Sequence, residues 1–218
     1  NSGHVSGMKK AQSNPLYLGD FKFPSLLEIS DDFNATLLDI DLIVCAVPTS
    51  GFREILKSIN EINQSAPVIW ANKGLEQDSA KLPHEIAIEE LGDPKTTNRH
   101  WGVVSGPSFA AELVRSLPTA LTIASTSKEA TILATKFFHH HNLRVYTSDD
   151  VVGVSVGGAL KNVIAIASGI SDGMGFGNNA RAALITRGLA EISRFGSHLG
   201  ANQDTFSGLA GSGDLVLT

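Results

Sequence analysis

The chain has 218 residues, 42% hydrophobic and 18% charged, a globular balance that suits one large domain or two modest ones. A net charge of −5 argues against non-specific nucleic-acid binding as the main role but leaves room for a local basic pocket. The single cysteine, Cys45, excludes an internal disulfide and suits a reducing, cytoplasmic setting. No run of about 18 uninterrupted apolar residues and no charged-then-apolar leader is present, so neither a membrane span nor a signal peptide is expected.

Residues 1–40 are mixed and punctuated by Pro15, Gly19 and Pro24, which predicts loops. Asp41-Leu-Ile-Val-Cys-Ala-Val-Pro48 is a continuous apolar run ending at proline and predicts a strand buried on both faces, with Cys45 filling core space. Helical spacing follows from Gly51 to Ile62. Ala66-Pro-Val-Ile-Trp-Ala71 predicts the next strand, and Ala80 to Leu91 the next helix. Trp101–Ser105 and Ala120–Ala124 predict two further strands, Lys128–His141 a helix, and Arg144–Thr147 a closing strand. Apolar strands alternating with helices predict stacked βα units and a mostly parallel sheet.

After Asp150 the texture changes. Val152–Ile170 and Asn178–Leu199 are long helical patterns joined by the glycine-rich turn Ser171-Asp-Gly-Met-Gly-Phe-Gly177, and no strand candidate follows until the last residues. A domain boundary is expected near 150, with a sheet domain over 1–150 and a helical domain over 151–218. Asn1 in place of methionine, and Thr218 directly after an apolar run, suggest an internal fragment of a longer protein.

Lys161 narrows the functional options most. It lies in Val156-Gly-Gly-Ala-Leu-Lys-Asn-Val-Ile-Ala-Ile-Ala-Ser-Gly169, where a lone ammonium costs free energy unless partnered, and desolvation lowers its pKa towards the range useful for proton transfer. On a helix its face carries Gly157, Gly158, Ile164 and Ala165, with Ser168 a turn beyond, so a flat group could lie beside the amine. The alternative is a structural lysine that snorkels outward or pairs with one buried carboxylate.

Ligands of open α/β sheets sit beyond the carboxyl ends of the strands. Three segments fall there: Val47-Pro-Thr-Ser50, Ala71-Asn-Lys-Gly74 with Lys73 at the strand end, and Ser105-Gly-Pro-Ser-Phe-Ala110. In the third, backbone N–H groups and the Ser108 hydroxyl could hold an anion at a helix start. Simple capping by Thr49, Ser50, Ser105 or Ser108, and a surface position for Lys73, are the alternatives. Asp214, in Phe206-Ser-Gly-Leu-Ala-Gly-Ser-Gly-Asp-Leu215, follows glycines that can bring it close to another backbone; it could offset Lys161 or act as a helix cap. His139, His140 and His141 would point about 100° apart on a helix and so cannot converge on one metal ion. Asp149-Asp150 reads as a boundary loop. The sequence suggests neither a metal site nor a Ser–His–Asp arrangement.

These segments, in order over nearly the whole chain, resemble the bacterial NAD(P)-dependent glycerol-3-phosphate dehydrogenase family. The blocks are Asn14-Pro-Leu-Tyr-Leu18, Ala46-Val-Pro48, Asn72-Lys-Gly-Leu-Glu76, Ser105-Gly-Pro-Ser-Phe-Ala-Ala-Glu112, Pro118-Thr-Ala120, Gly157-Gly-Ala-Leu-Lys-Asn-Val-Ile-Ala-Ile-Ala167, Asn179-Ala-Arg-Ala-Ala-Leu-Ile-Thr-Arg-Gly188 and Gly208-Leu-Ala-Gly-Ser-Gly-Asp-Leu215. The resemblance implies an incomplete Rossmann-type α/β domain followed by an incomplete all-helical domain. It also implies interconversion of sn-glycerol 3-phosphate and dihydroxyacetone phosphate with NAD or NADP, supplying phospholipid synthesis in the cytoplasm. By motif position Lys161 is expected to accept the C2 hydroxyl proton, with Asn162 flanking. Asp214 contacts substrate and supports the lysine, and Lys73 reaches substrate and cofactor. Gly106 and Ser108 hold substrate, and Ala110 touches cofactor. A homodimer is among the expected assemblies.

The family's Gly-x-Gly-x-x-Gly turn would precede Asn1 and its Ser-Arg-Asn motif would follow Thr218, so little activity is expected of this chain alone. The rival readings are a lysine-dependent NADPH reductase of the ketopantoate reductase kind, and a non-enzymatic binding or oligomerisation module.

Overall fold

The structure is a computed structural model that describes residues 2–62 and 65–217. Thr218, the last residue of the run expected to end in a strand, lies outside them.

The elements follow in the order α1 (Ser2–Ala11), α2 (Pro15–Leu18), α3 (Phe33–Thr36), β1 (Ile43–Cys45), α4 (Thr49–Glu61), β2 (Val68–Trp70), α5 (Pro83–Leu91), β3 (Trp101–Ser105) and α6 (Ala110–Leu113). They continue through β4 (Thr119–Ala124), α7 (Lys128–Phe138), β5 (Leu143–Ser148), α8 (Val151–Gly173), α9 (Gly177–His198) and α10 (Gln203–Ser207). A π-helical turn, Leu209–Gly213, leads into α11 (Asp214–Leu217).

The five strands lie side by side in chain order; β1, β2 and β3 run parallel, β4 runs antiparallel to β3, and β5 is parallel to β4. The expected mostly parallel sheet is therefore present with one reversal. That reversal places the start of β4 beside the carboxyl end of β3, with Ser105 opposite Thr122.

Alternation along the strands feeds two cores. Val68, Trp70 and Val103 join Phe52, Leu56, Ile59, Ile86, Val151 and Val154 on one face. Ile69, Val104 and Ile123 join Ala130, Ala134 and Leu143 on the other. Phe52, Leu56 and Ile59 recur at helical spacing, which is why α4 forms and buries that stripe. Each such side chain contributes about 1.5–3 kcal/mol on full burial. Trp70 packs at a tilt between Phe52 and Trp101, with ring centroids 5.5 Å from each. Cys45 is buried in the first core, where desolvation pushes its thiol pKa up.

Several expectations are corrected. The strand at Ile43–Cys45 is an edge strand with Val44 48% exposed, so it is not buried on both faces. The amino-terminal residues include the helix α1, which lacks the apolar periodicity that would announce it; Lys9 and Lys10 in its last turn favour the helix dipole. α8 runs through the expected glycine-rich turn to Gly173, because Ser171 is buried and continues the packed face; the reversal is made by Met174–Phe176, with Gly175 at φ +73°. The last described residues are helical, not extended. α7 stops at Phe138, so the three histidines lie on an exposed irregular segment beyond it.

By length and composition α8 is apolar enough to cross a membrane, but it is half-buried inside the protein, between the sheet, the π turn and α9. Asp150, expected as a boundary loop residue, anchors it. Its Oδ1 accepts the Gly153 N–H (2.8 Å) and its Oδ2 accepts the Asn202 N–H (3.0 Å) and the Thr205 hydroxyl (2.5 Å). Val151 and Val154 then enter the same core as the sheet residues.

Candidate active site

The parallel run β1–β3 puts the loops after Cys45, Trp70 and Ser105 at one edge of the sheet, as expected. The second loop turns sharply at Gly74 (φ +125°), and the Thr49 hydroxyl donates to the Lys73 carbonyl (3.1 Å). Thr49 is thus committed to this loop, and the cap position of α4 is Pro48. At the third loop Gly106 takes φ +134°, and an added Cβ would come within 3.1 Å of the Ala120 carbonyl oxygen and 3.3 Å of Leu121 Cα. The reversed strand β4 is what makes glycine necessary there.

The two halves of the chain meet at Asp214. This carboxylate is 2% exposed; its Oδ1 accepts from Lys161 Nζ at 2.5 Å, and its Oδ2 accepts from Lys73 Nζ and from the Ser105 hydroxyl (3.4 Å). Lys73 Nζ also lies 3.5 Å from the Gly106 carbonyl. Lys161 is itself 7% exposed, so the pairing with a buried carboxylate is present in the fold. The expected Lys161, Lys73, Gly106 and Asp214 converge. Two ammonium groups share one carboxylate, and desolvation by burial lowers the Lys73 pKa, opposed by Asp214 and reinforced by Lys161.

Glycines make this convergence possible. A Cβ on Gly157 would sit 2.8 Å from the Ala210 carbonyl oxygen, and one on Gly211 would sit 2.2 Å from the Phe206 carbonyl oxygen. The first glycine admits the π turn against α8, and the second folds that turn tightly on α10. π-helical turns of this kind recur at functional sites. A Cβ on Gly158 would meet Lys73 Cγ at 3.3 Å and Ser105 Oγ at 3.6 Å. Gly157 and Gly158 therefore accommodate the protein's own π turn and second lysine, while a cavity of about 250 Å³ remains further along the same face, lined by Ala165 and Ser168.

The remaining expected residues lie around this cluster. The Ser108 hydroxyl donates to the Gly106 carbonyl (3.2 Å). α6 is a single turn capped at Phe109 without a side-chain hydrogen bond, so neither Ser105 nor Ser108 caps it and it offers no extended helix start for an anion. Ala110 opens α6 at the exposed surface, and Asn162, next to Lys161, is exposed as well.

Three features escape linear reading. Asn72, beside Lys73, is 8% exposed, and neither end of its amide has a hydrogen-bond partner. Groups in that condition usually hold an ordered water or a ligand atom. Its position before Lys73 was the available signal. Arg53, on α4, forms a two-pronged bond to Glu76 in the Lys73 loop. Finally, the Ser127 hydroxyl lies 2.9 Å from His100 Nδ1, and His100 Nε2 lies 3.1 Å from Glu129. This is a serine–histidine–acid string that the sequence order conceals. Ser127 is buried and its Oγ also accepts the Ala130 N–H as the cap of α7, so the string anchors a helix. Among the described residues no group of histidine, cysteine or carboxylate side chains is placed to hold a metal ion.

Residues 1–131 match the profile described as the NAD-dependent glycerol-3-phosphate dehydrogenase N-terminus, and residues 150–218 match its C-terminus. The chain belongs to the NAD-dependent glycerol-3-phosphate dehydrogenase family. It is 59% identical over 218 residues to the glycerol-3-phosphate dehydrogenase (NAD(P)+) of Methylobacillus flagellatus, covering all of this chain and 65% of that one. The glycerol-3-phosphate dehydrogenase structure from Coxiella burnetii superposes with a TM-score of 0.93 at 40% identity, covering 100% of this chain and 65% of the other. That from Saccharomyces cerevisiae gives 0.83 at 28%, covering 98% and 63%. The chain thus spans just under two thirds of the length of these relatives, and its sheet and helices are those of a Rossmann-type unit followed by a helical one.

Proposed function

We propose that the protein interconverts sn-glycerol 3-phosphate and dihydroxyacetone phosphate with NAD or NADP, in the cytoplasm, and so supplies glycerol 3-phosphate for phospholipid synthesis. The supporting observation is the meeting of Lys161 and Lys73 on the buried Asp214 beside the Gly106–Ser108 corner. Family membership sets aside the ketopantoate-reductase reading. In this proposal residues 1–150 form the nicotinamide domain and residues 151–218 the catalytic one.

The residues present fit the nicotinamide end of such a cofactor. Gly74 leaves its loop without a side chain, with only Thr49 Oγ1 (3.5 Å) near where a Cβ would stand, and Ala110 opens α6 at the surface. The cofactor, when bound, accepts or delivers a hydride at C2 of the substrate. Lys161 takes the hydroxyl proton in oxidation and returns it in reduction.

Asp214 favours a charged lysine, but one carboxylate balances only one of two ammonium groups. Burial also opposes the charged form and is the main cause of the lowered Lys73 pKa, with Asp214 opposing the shift and the Lys161 charge adding to it. Asp214 orients both amines, Lys73 meets substrate and cofactor, and Gly106 and Ser108 hold the substrate.

The test is nicotinamide absorbance with dihydroxyacetone phosphate or ketopantoate as acceptor, in this chain and in a form extended at both ends to the length of its relatives. Oxidation of NADH or NADPH dependent on dihydroxyacetone phosphate is expected in the extended form. Turnover with ketopantoate alone would overturn the proposal, and no turnover in either form would favour a binding or oligomerisation module. Assembly as a homodimer belongs to the same proposal and is checked by light scattering.

A further inference from the structure

Lys73 sits in an irregular loop, yet its amine is held at a buried carboxylate on another part of the chain. Two residues of α4, one helical turn apart, grip that loop at both ends. Thr49 donates to the Lys73 carbonyl (3.1 Å), and Arg53 forks onto Glu76, with Nε to Oε1 and Nη2 to Oε2 each at 2.8 Å. Between them Gly74 makes the turn, at φ +125°, that lets both grips form. The loop closes on itself through Glu76 N–H to the Lys81 carbonyl (2.9 Å) and Ala80 N–H to the Glu76 carbonyl (2.8 Å). Arg53 is fixed in turn by Glu89 (2.8 Å) and Glu90 (2.5 Å) of α5. A planar guanidinium with a bidentate partner restricts direction as well as distance.

We infer that Arg53, with Thr49, is a positioning residue for Lys73: the α4 grip holds the loop where the lysine side chain must run along Gly158 to reach Asp214. A surface ion cluster that merely joined α4 to α5 would need no contact with Glu76 and no second grip at Thr49. The inference deepens the proposed reading of Lys73 as a substrate- and cofactor-contacting group and rests on that reading for its importance to binding.

Competitive acetylation across pH, read by mass spectrometry on the purified chain, gives the titration midpoint and reactivity of Lys73 without any activity assay. In the wild type Lys73 titrates below an ordinary lysine, because of its burial. Arg53→Gln and Glu76→Gln should each raise the midpoint towards that of an ordinary lysine and raise reactivity as water reaches the amine. Arg53→Lys should restore part of the shift, since it keeps the charge but loses the fork. Leu143→Ala, in the opposite core, should lower the melting temperature and leave Lys73 unmoved. An unchanged midpoint in Arg53→Gln overturns the inference, as does an equal shift in Leu143→Ala; should Arg53→Gln not fold, Glu76→Gln decides by the same criterion. If Lys73 shifts as expected but Lys73→Met binds cofactor and substrate normally in the extended enzyme, the functional reading of Lys73 fails and the positioning role stands.

Discussion

Gly157 of α8 and Ala210 of the π turn approach so closely that a single added carbon would stand 2.8 Å from the Ala210 carbonyl oxygen. Four residues further along each segment come Lys161 and Asp214, 2.5 Å apart. The backbone contact sets the register in which the ion pair forms. A methyl at 157 must push the π turn, and with it the carboxylate, away from the lysine.

Gly157→Ala is therefore expected to destabilise the fold by about 1–3 kcal/mol, despite the roughly 1 kcal/mol that alanine gains over glycine inside a helix. Gly169→Ala on the same helix, where nothing lies within 4 Å of the added carbon, should instead be neutral or stabilise by up to about 1 kcal/mol. Denaturant melts of the two variants separate packing from propensity. Equal effects would show that the Gly157–Ala210 contact has slack.

Asp214→Asn leaves the buried Lys161 and the half-buried Lys73 without their carboxylate and is expected to cost about 3–5 kcal/mol. Removing Lys161 as well, with Lys161→Met, should cost less than the sum of the single changes, by about 0.5–3 kcal/mol. A double-mutant cycle measured by chemical denaturation tests this, and strict additivity would contradict the shared cluster.

In the extended enzyme Lys161→Met should lower turnover about 10²–10⁴-fold or more, because no group replaces the proposed proton acceptor. Cofactor binding, followed by fluorescence quenching, should stay within a few-fold of wild type. Turnover near wild type would remove Lys161 from the chemistry.

Two groups give opposite halves of one pH trend. Hydrogen bonds from Arg53 and Ser79 hold the Glu76 carboxyl down at about 2, below its ordinary 4.5. Its contribution is complete above pH 4.5 and is lost as pH falls towards 2. Glu76→Gln should flatten that part of the stability curve.

Burial lowers the His84 pKa below 6.5, so the folded state disfavours its protonation and stability declines as pH drops below 6.5. His84→Leu should remove that earlier decline and leave the later one. A pH series of melting temperatures reads both, and a His84→Leu curve that parallels wild type between pH 6.5 and 5 would contradict the burial argument.

Much of this was legible in the chain itself. Trp101–Ser105, Val68–Trp70 and the spacing of Phe52, Leu56 and Ile59 announce strands and a helix because apolar periodicity is a local property. Lys161 stands out for a related reason, as a charge among apolar residues. The errors occur where burial depends on partners outside the segment. Val44 looks as apolar as its neighbours but lies on an edge strand, and α8 continues through glycines because Ser171 is packed from outside. Ser127, His100 and Glu129 form a string only after β3 and α7 are brought together.

The amino-acid order by itself determined the types of the main elements, the loops that gather at the sheet edge and the need of Lys161 for a partner, because each follows from periodicity or from the cost of burying charge. Only the tertiary structure decided that Lys73 and Lys161 share Asp214, that Gly157 and Gly158 accommodate protein, and that Arg53 grips the Lys73 loop. These pairings span 23 to 141 residues of sequence, and contacts at that separation depend on how helices dock on the sheet, which no local pattern encodes.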